Sequence, residues 1–375
     1  MKPIRVLHVL GAMNRGGVET WLMHVLRRID RERFAMDFLV HTAEPAAYDA
    51  EVLALGSRIL RCSHPHDPVR YRKRFLEIAE RCGPFAVVHS HVHHYSGYVL
   101  WLARAAKVPV RISHSHNDTE SLNREATLLR KAYLMASRKL ISANCTHALA
   151  ASGPAALALF GPRWQTDPRV RVLYYGVDLD AFRLPADRSA VRAEFGFRAD
   201  DIVFGHVGRF DPQKNHTFLA EIAIEILKRE ANARFLLVGD GPLRSSIEQQ
   251  FQRAGILGSA VFTGSRSDVP RLMLGAMDEF LFPSLYEGLG LVLIEAQAAN
   301  LPAIVSDRVP SEAIVVPGLV RCVSLNQPAA TWAEAALHHR ECRASNALAT
   351  VERSPFNITA SVEALTRVYS AHEPF

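Results

Sequence analysis

Two carboxylates eight positions apart, Glu287 and Glu295, carry the first chemical signal in this chain. They lie in the stretch P-S-L-Y-E-G-L-G-L-V-L-I-E-A-Q-A-A-N-L-P, which runs from Pro283 to Pro302. The stretch leaves an apolar strand (Phe280 to Phe282), turns at Pro283-Ser284, and passes through Gly288 and Gly290 into a helix. A glycine loop feeding a helix N-terminus presents free N–H groups and the positive end of the helix dipole, which suits a phosphate. Glu287, in the loop, can accept hydrogen bonds from ligand hydroxyls, and Glu295 stands about two helical turns further on. A plain strand–turn–helix with solvated glutamates fits the local pattern equally well. A second group, Gly208, Arg209 and Lys214, follows another strand. Two cations five residues apart on one loop can flank a diphosphate and stabilise it as a leaving group, although a solvated basic loop is the plainer reading of that loop alone. A third, Val238-Gly239-Asp240-Gly241-Pro242, puts a glycine turn at a carboxyl strand end, the edge where open α/β sheets bind ligands. Histidines form a fourth group. His89, His91 and His93 alternate and would share one face of an extended strand, as would His114 and His116. Imidazole clusters bind zinc, but no cysteine or carboxylate spacing accompanies these. No metal is expected, and histidines that contact a substrate at strand ends are the preferred reading.

The elements that must position these residues alternate along the whole chain. Short apolar runs, from Ile4–Leu10 through Val110–Ser115 to Ala148–Ala151, are separated by helical stretches, and the alternation restarts at Ile202. This pattern predicts parallel βαβ units in two doubly wound sheets. A length of 375 residues agrees with two domains, and 49% hydrophobic with 22% charged residues describes a globular protein. The net charge of +6 favours anionic partners, among them nucleotides, membrane surfaces and nucleic acid. Five scattered cysteines without a CxxC pair point to a reducing compartment. The N-terminal apolar run is too short for a signal peptide, and no stretch approaches a spanning helix. From Ser121 to Cys145 a helical stretch carries Arg124, Arg130, Lys131, Arg138 and Lys139 between apolar positions. It reads either as a helix lying on an anionic bilayer or as a solvated face.

The order of the loops is more specific than any one of them. Gly-Arg-x4-Lys-Asn, Val-Gly-Asp-Gly-Pro and Glu-Gly-x6-Glu each follow a strand in one βα array. Together they resemble the nucleotide-sugar-dependent glycosyltransferases of the retaining family 4 type, which have the GT-B fold. Asn14-Arg15-Gly16-Gly17-Val18-Glu19 is similar to the N-terminal glycine loop of that family. Leu173 to Phe182 is similar to its Asn-Gly-Val-Asp segment, with Tyr175 where asparagine is usual. Val87-Val88-His89-Ser90-His91 and Arg111 to Asn117 look like its capsule and exopolysaccharide branch. The resemblance implies that Arg209 and Lys214 bind the donor diphosphate, that Glu287 accepts from the sugar hydroxyls, and that Glu295 accepts from the ribose. It further implies that the amides of Gly288, Leu289, Gly290 and Leu291 face the phosphates, with Gly208, Gly239 and Gly241 also lining the donor site. Gly16 and Gly17 would let the acceptor-side backbone approach the donor. Either His114 or His116 corresponds to the family's catalytic-region histidine, and His91, His93 and Asp118 are acceptor-side candidates. Asp178-Leu179-Asp180 spells a D-x-D, but it falls in the matched segment and is read as structural.

The expectation is therefore an α/β protein of GT-B architecture, with two Rossmann-like parallel-sheet domains facing each other across a cleft. Residues 1–183 would form the acceptor domain, 184–200 a connector and 201–355 the donor domain. Residues 356–375 would form a helical segment, for which a crossing back to the first domain is open. The expected activity is metal-independent, retaining transfer from a UDP- or GDP-sugar co-substrate, with no cofactor. The acceptor would be a saccharide or a polyprenyl-diphosphate-linked saccharide in capsule, exopolysaccharide or lipopolysaccharide biosynthesis. The enzyme would be cytoplasmic, with peripheral contact to the inner face of an anionic membrane and no nucleic-acid partner. Two alternatives stand beside it: a sugar-nucleotide epimerase on the same fold, and a non-catalytic nucleotide- or saccharide-binding protein.

Overall fold

A computed structural model describes residues 2–117 and 127–370. The chain divides into two compact units. The first runs to Gly176 and includes the last helix, Ile358–Ser370; the second is Val177–Asn357. The stretch 184–200 lies inside the second unit, where the helix Arg188–Glu194 packs on the helix Val269–Gly275. The approach is close enough that a Cβ on Gly275 would meet Val191 Cγ2 at 2.7 Å. Arg192, which is buried, donates to Asp278 Oδ2 at 2.5 Å. No helix among the described residues is long and apolar enough to cross a membrane.

The first unit is a seven-stranded parallel sheet in the order β3-β2-β1-β4-β5-β6-β7. Its strands are β1 (Ile4–Leu10), β2 (Phe34–Val40), β3 (Ile59–Arg61), β4 (Val87–Ser90), β5 (Val110–Ser115), β6 (His147–Ala150) and β7 (Val170–Val172). The second unit is a six-stranded parallel sheet, β10-β9-β8-β11-β12-β13. Its strands are β8 (Ile202–Val207), β9 (Ala233–Val238), β10 (Ala260–Gly264), β11 (Glu279–Phe282), β12 (Ala303–Ser306) and β13 (Val320–Val323). Both are Rossmann-like, and the central strands are buried on both faces, as continuous apolar runs such as Phe-Leu-Leu-Val in β9 require. Large side chains close each core: Tyr71 and Phe75 in the first unit, Phe204, Phe235, Phe251 and Trp332 in the second. Strand order reverses between β1 and β4 in one sheet and between β8 and β11 in the other. Crevices open outside the carboxyl ends of strands at such switch points.

The elements differ from the expectation in instructive places. β3 and β13 escaped notice because both are short edge strands with little burial, so neither carries an apolar run. β4 ends at Ser90, and His93 begins a 3-10 turn with a positive φ of 49°. His93 therefore does not share the strand face with His89 and His91. In the basic stretch the helix begins at Leu128, and Arg124 and Asp118 fall outside the described residues.

Candidate active site

In the second unit the loops after β8 and β11 meet at the switch point. Leu285 N–H donates to the Gln213 carbonyl at 2.8 Å, and Asn215 Nδ2 donates to the Pro283 carbonyl at 3.1 Å. This docking brings Lys214 Nζ to 2.6 Å from Glu287 Oε1, while Gln213 Nε2 lies 3.2 Å from Glu287 Oε2. Glu287 is 5% exposed, so its carboxylate is held by two donors in a mostly dry setting. Lys214 also sits over the Phe282 ring, its nitrogen 5.0 Å from the centroid. The ammonium has three N–H donors, so pairing with Glu287 leaves donors for an anion. Arg209, on the same loop, is exposed and makes no ion pair among the described residues.

Glycines let the backbone crowd here. Gly239 has φ +139°, and a Cβ on it would stand 2.0 Å from the Gly208 carbonyl oxygen. Gly208 N–H in turn donates to the Val238 carbonyl at 2.9 Å, so the Gly208 and Gly239 turns are pressed together at the β8 and β9 ends. Gly290, φ +87°, is the left-handed residue that admits the helix Leu291–Ala298. That helix carries Glu295, half-buried and without a charge partner among the described residues; burial pushes its carboxyl up to about 7. Thus Gln213, Lys214 and Glu287 touch, the Gly208 and Gly239 turns touch, and Glu295 stands on the helix that the glycine loop opens. Gln213 was missed; its place next to Lys214 in the cationic loop was the available signal.

The first unit has its own polar cluster. On one face of its sheet, where aliphatic side chains would ordinarily pack, stand His8, His89, His91, His114 and His116, all buried. His8 pairs in register with His89, and these two strands therefore place imidazoles side by side. His8 Nδ1 lies 3.0 Å from His91 Nε2, His91 Nδ1 lies 3.0 Å from His116 Nε2, and His89 Nε2 lies 3.0 Å from His114 Nδ1. Two phenols end the network: Tyr175 OH contacts His116 Nδ1, and Tyr369 OH lies 2.9 Å from His89 Nδ1 and 3.4 Å from His8 Nε2. Burial pushes His8 and His116 down to about 3 and the other three well below the usual imidazole range, so all five are neutral near pH 7. The buried Trp21 stacks on Tyr175 and donates to Ser361 Oγ at 2.9 Å, tying the last helix to this face. His114 is fully enclosed, whereas His91 and His116 are each 8% exposed. Gly16 and Gly17 stand at the start of the helix Gly17–Arg28, and a Cβ on Gly16 would collide with Glu19 Oε2 at 2.3 Å. His8, Trp21, Tyr175 and Tyr369 were not anticipated, because only the sheet register and the returning helix bring them together.

Comparisons with known proteins agree across the chain. Residues 15–181 match the model of Glycosyltransferase Family 4, and residues 201–339 match that of Glycosyl transferases group 1. EpsF of Bacillus subtilis (strain 168), named as a glycosyltransferase, is 38% identical over 334 residues, covering 88% of this chain and 86% of EpsF. The capsular polysaccharide biosynthesis glycosyltransferase CapH of Staphylococcus aureus is 27% identical over 315 residues, 81% of each chain. UDP-Gal:alpha-D-GlcNAc-diphosphoundecaprenol alpha-1,3-galactosyltransferase of Escherichia coli is 30% identical over 229 residues, 60% of this chain and 58% of the relative. Among solved structures, Anabaena Alr3699/HepE in complex with UDP and glucose superposes with a TM-score of 0.81 at 18% identity, covering 98% of this chain and 99% of that one. The fold is thus the GT-B fold, and with its two matched domains and its likeness to EpsF over 88% of its length the chain belongs to the family 4 glycosyltransferases.

Proposed function

We propose that this enzyme transfers a sugar, with retention of anomeric configuration, from a UDP-sugar to a lipid-diphosphate-linked saccharide during surface polysaccharide assembly. The observation that carries the reading is the Lys214–Glu287–Gln213 cluster at the β8/β11 switch point. Departure of a nucleoside diphosphate gathers negative charge on the leaving phosphate and leaves an oxocarbenium-like sugar. Lys214 and Arg209 supply fixed positive charge for that phosphate, so no metal is needed there, and the N–H groups of Gly288 to Leu291 add their dipoles. Glu287, held by Lys214 and Gln213, accepts from the sugar hydroxyls, and Glu295 accepts from the ribose. Gly208, Gly239 and Gly241 let the backbone approach the nucleotide. Gly16, Gly17, His91, His93 and His116 are assigned to sugar and acceptor contacts. Glu287 is already paired with Lys214 and Gln213, which favours a front-face displacement over its attack as a covalent nucleophile. The UDP preference and the lipid-linked acceptor rest on the named relatives and neighbours.

The acceptor's lipid calls for a membrane surface, and the helix Leu128–Asn144 suits it. Leu128 and Leu129 are 86% and 85% exposed, with Met135 and Tyr133 also outward and Arg130, Lys131 and Lys139 among them. Arg138 is different: it turns inward and donates to the Ala158 carbonyl at 2.8 Å. With a net charge of +6, an anionic bilayer on the cytoplasmic side is the complementary partner. Transfer is tested with UDP-glucose, UDP-galactose and UDP-N-acetylglucosamine, each supplied with a polyprenyl-diphosphate saccharide, and the anomer of the product is read by NMR. Retention in an acceptor-dependent product is expected. Inversion, or turnover of the donor alone, overturns the reading.

A further inference from the structure

The histidine face carries more than packing. Each of His91, His114 and His116 spends one ring nitrogen on an outer partner: His91 Nε2 on His8, His114 Nδ1 on His89, and His116 Nδ1 on Tyr175. The remaining nitrogens are His91 Nδ1, His114 Nε2 and His116 Nε2. His114 Nε2 is buried without a hydrogen-bond partner among the described residues, and the other two lie 3.0 Å apart. One nitrogen from each of the three residues lies within 4.8 Å of the others. Metal-ligating histidines have this arrangement, in which the second nitrogen is fixed by an outer hydrogen bond that sets tautomer and ring orientation. We propose that His91, His114 and His116 bind one borderline divalent transition-metal ion of the zinc type, at the carboxyl ends of β4 and β5.

The proton inventory closes for that state. Neutral imidazoles carry one N–H each. If His91, His114 and His116 each donate outward, to His8 Nδ1, His89 Nε2 and Tyr175 oxygen, their other nitrogens present lone pairs to the ion. His8 and His89 then donate through their remaining nitrogens to the Tyr369 oxygen, within the observed contacts. Binding replaces the His91–His116 hydrogen bond through tautomer shifts that move its N–H to an outer nitrogen; each imidazole keeps one proton and none is released. Zinc–nitrogen bonds of about 2.0–2.1 Å put tetrahedral ligand atoms about 3.3 Å apart, so the 3.0 Å pair opens by only a few tenths of an ångström. The other triad on this face, His8, His89 and His91, has no counterpart of His114 Nε2, because both nitrogens of all three of its residues are already engaged. His91 and His116, each 8% exposed, are the least enclosed of the three ligands and mark the side from which an ion would enter. Three nitrogens leave a fourth position for water. The ion would clamp the β4 and β5 ends; with it bound, the contacts assigned above to His91 and His116 would be made through the ion's fourth position, and the roles proposed for Lys214 and Glu287 do not require it.

The test uses the full, untagged chain stripped with a chelator. Cobalt(II) is titrated as a spectroscopic probe, and zinc(II) is titrated while thermal stability is followed. One cobalt per chain with visible ligand-field bands of a tetrahedral nitrogen site is expected, together with a zinc-dependent rise in Tm. His116→Ala, at the least enclosed side of the cluster, should abolish both. Tyr175→Phe should keep the stoichiometry and weaken affinity about 10- to 100-fold through the lost outer partner. Wild-type protein with neither bands nor a zinc-dependent Tm rise overturns the proposal without any variant. So do bands that survive unchanged in His116→Ala.

Discussion

Replacing Glu295 with glutamine should move stability and donor affinity in opposite directions. In the ligand-free protein this carboxyl is pushed from its ordinary 4.5 up to about 7, and the cause is burial. Below about pH 4.5 folded and unfolded chains both hold the proton, and the group costs nothing. As pH rises from there to about 7, the unfolded chain releases its proton while the folded chain keeps it. Stability falls by about 1.4 kcal/mol per pH unit over that window, and the full cost is present above it. The ceiling is about 3 kcal/mol at about pH 8, and partial exposure lowers the expectation to about 2 kcal/mol. Glu295→Gln removes the titration, so the ligand-free variant should be more stable than wild type at pH 8 and equal to it near pH 4. Glu279, also pushed up to about 7 by burial, is present in both proteins and cancels in the difference. The variant should lose about 10- to 100-fold in nucleotide-sugar affinity at pH 8, where wild type offers a charged acceptor to the ribose. Chemical denaturation at both pH values and calorimetric titration of UDP measure the two effects. A variant less stable than wild type at pH 8, or one that binds UDP normally, refutes the reasoning.

Other outcomes follow from the same geometry. Gly290→Val, at φ +87° with a Cβ 3.3 Å from Phe282 Cε1, should cost about 1–3 kcal/mol in denaturation and abolish donor binding in calorimetry. Ser361→Ala strands the Trp21 indole N–H and removes the hydrogen bond that Ser361 Oγ now donates to the Tyr174 carbonyl at 3.0 Å. It should destabilise by about 1–3 kcal/mol, read by urea unfolding, and an unchanged midpoint would contradict it. Leu128→Glu with Leu129→Glu should abolish co-sedimentation with anionic vesicles, and wild-type binding should weaken as salt rises; retention of binding by the variant excludes this helix as the contact.

The parts of this molecule visible in the sequence were those written in local pattern. Central strands such as Ile202–Val207 announce themselves because burial on both faces demands an unbroken apolar run, and the glycine loops do so because only glycine takes their backbone. The loops that carry Arg209, Lys214, Glu287 and Glu295 were legible because each follows a strand in a fixed order. The edge strands β3 and β13 were not, since one-sided, half-exposed strands need no such run. His8 gave no local signal either: a single imidazole in Ile-Arg-Val-Leu-His-Val-Leu acquires meaning only when sheet register sets it beside His89. Tyr369, 361 positions from His8, joins the network through the returning helix, a relation that no spacing rule encodes. Glu287's ion pair with Lys214 likewise depends on two loops 73 residues apart docking at the switch point.

The central claim is that Lys214 and Glu287 handle a nucleotide-sugar donor for transfer to a separate acceptor. The most direct measurement is release of nucleoside diphosphate, with and without a polyprenyl-diphosphate saccharide, by wild type, Lys214→Ala and Glu287→Ala. Acceptor-dependent release by wild type, reduced about 100-fold or more in both variants with the fold retained, is the predicted result. Full-rate release by either variant would contradict it, as would donor turnover that ignores the acceptor.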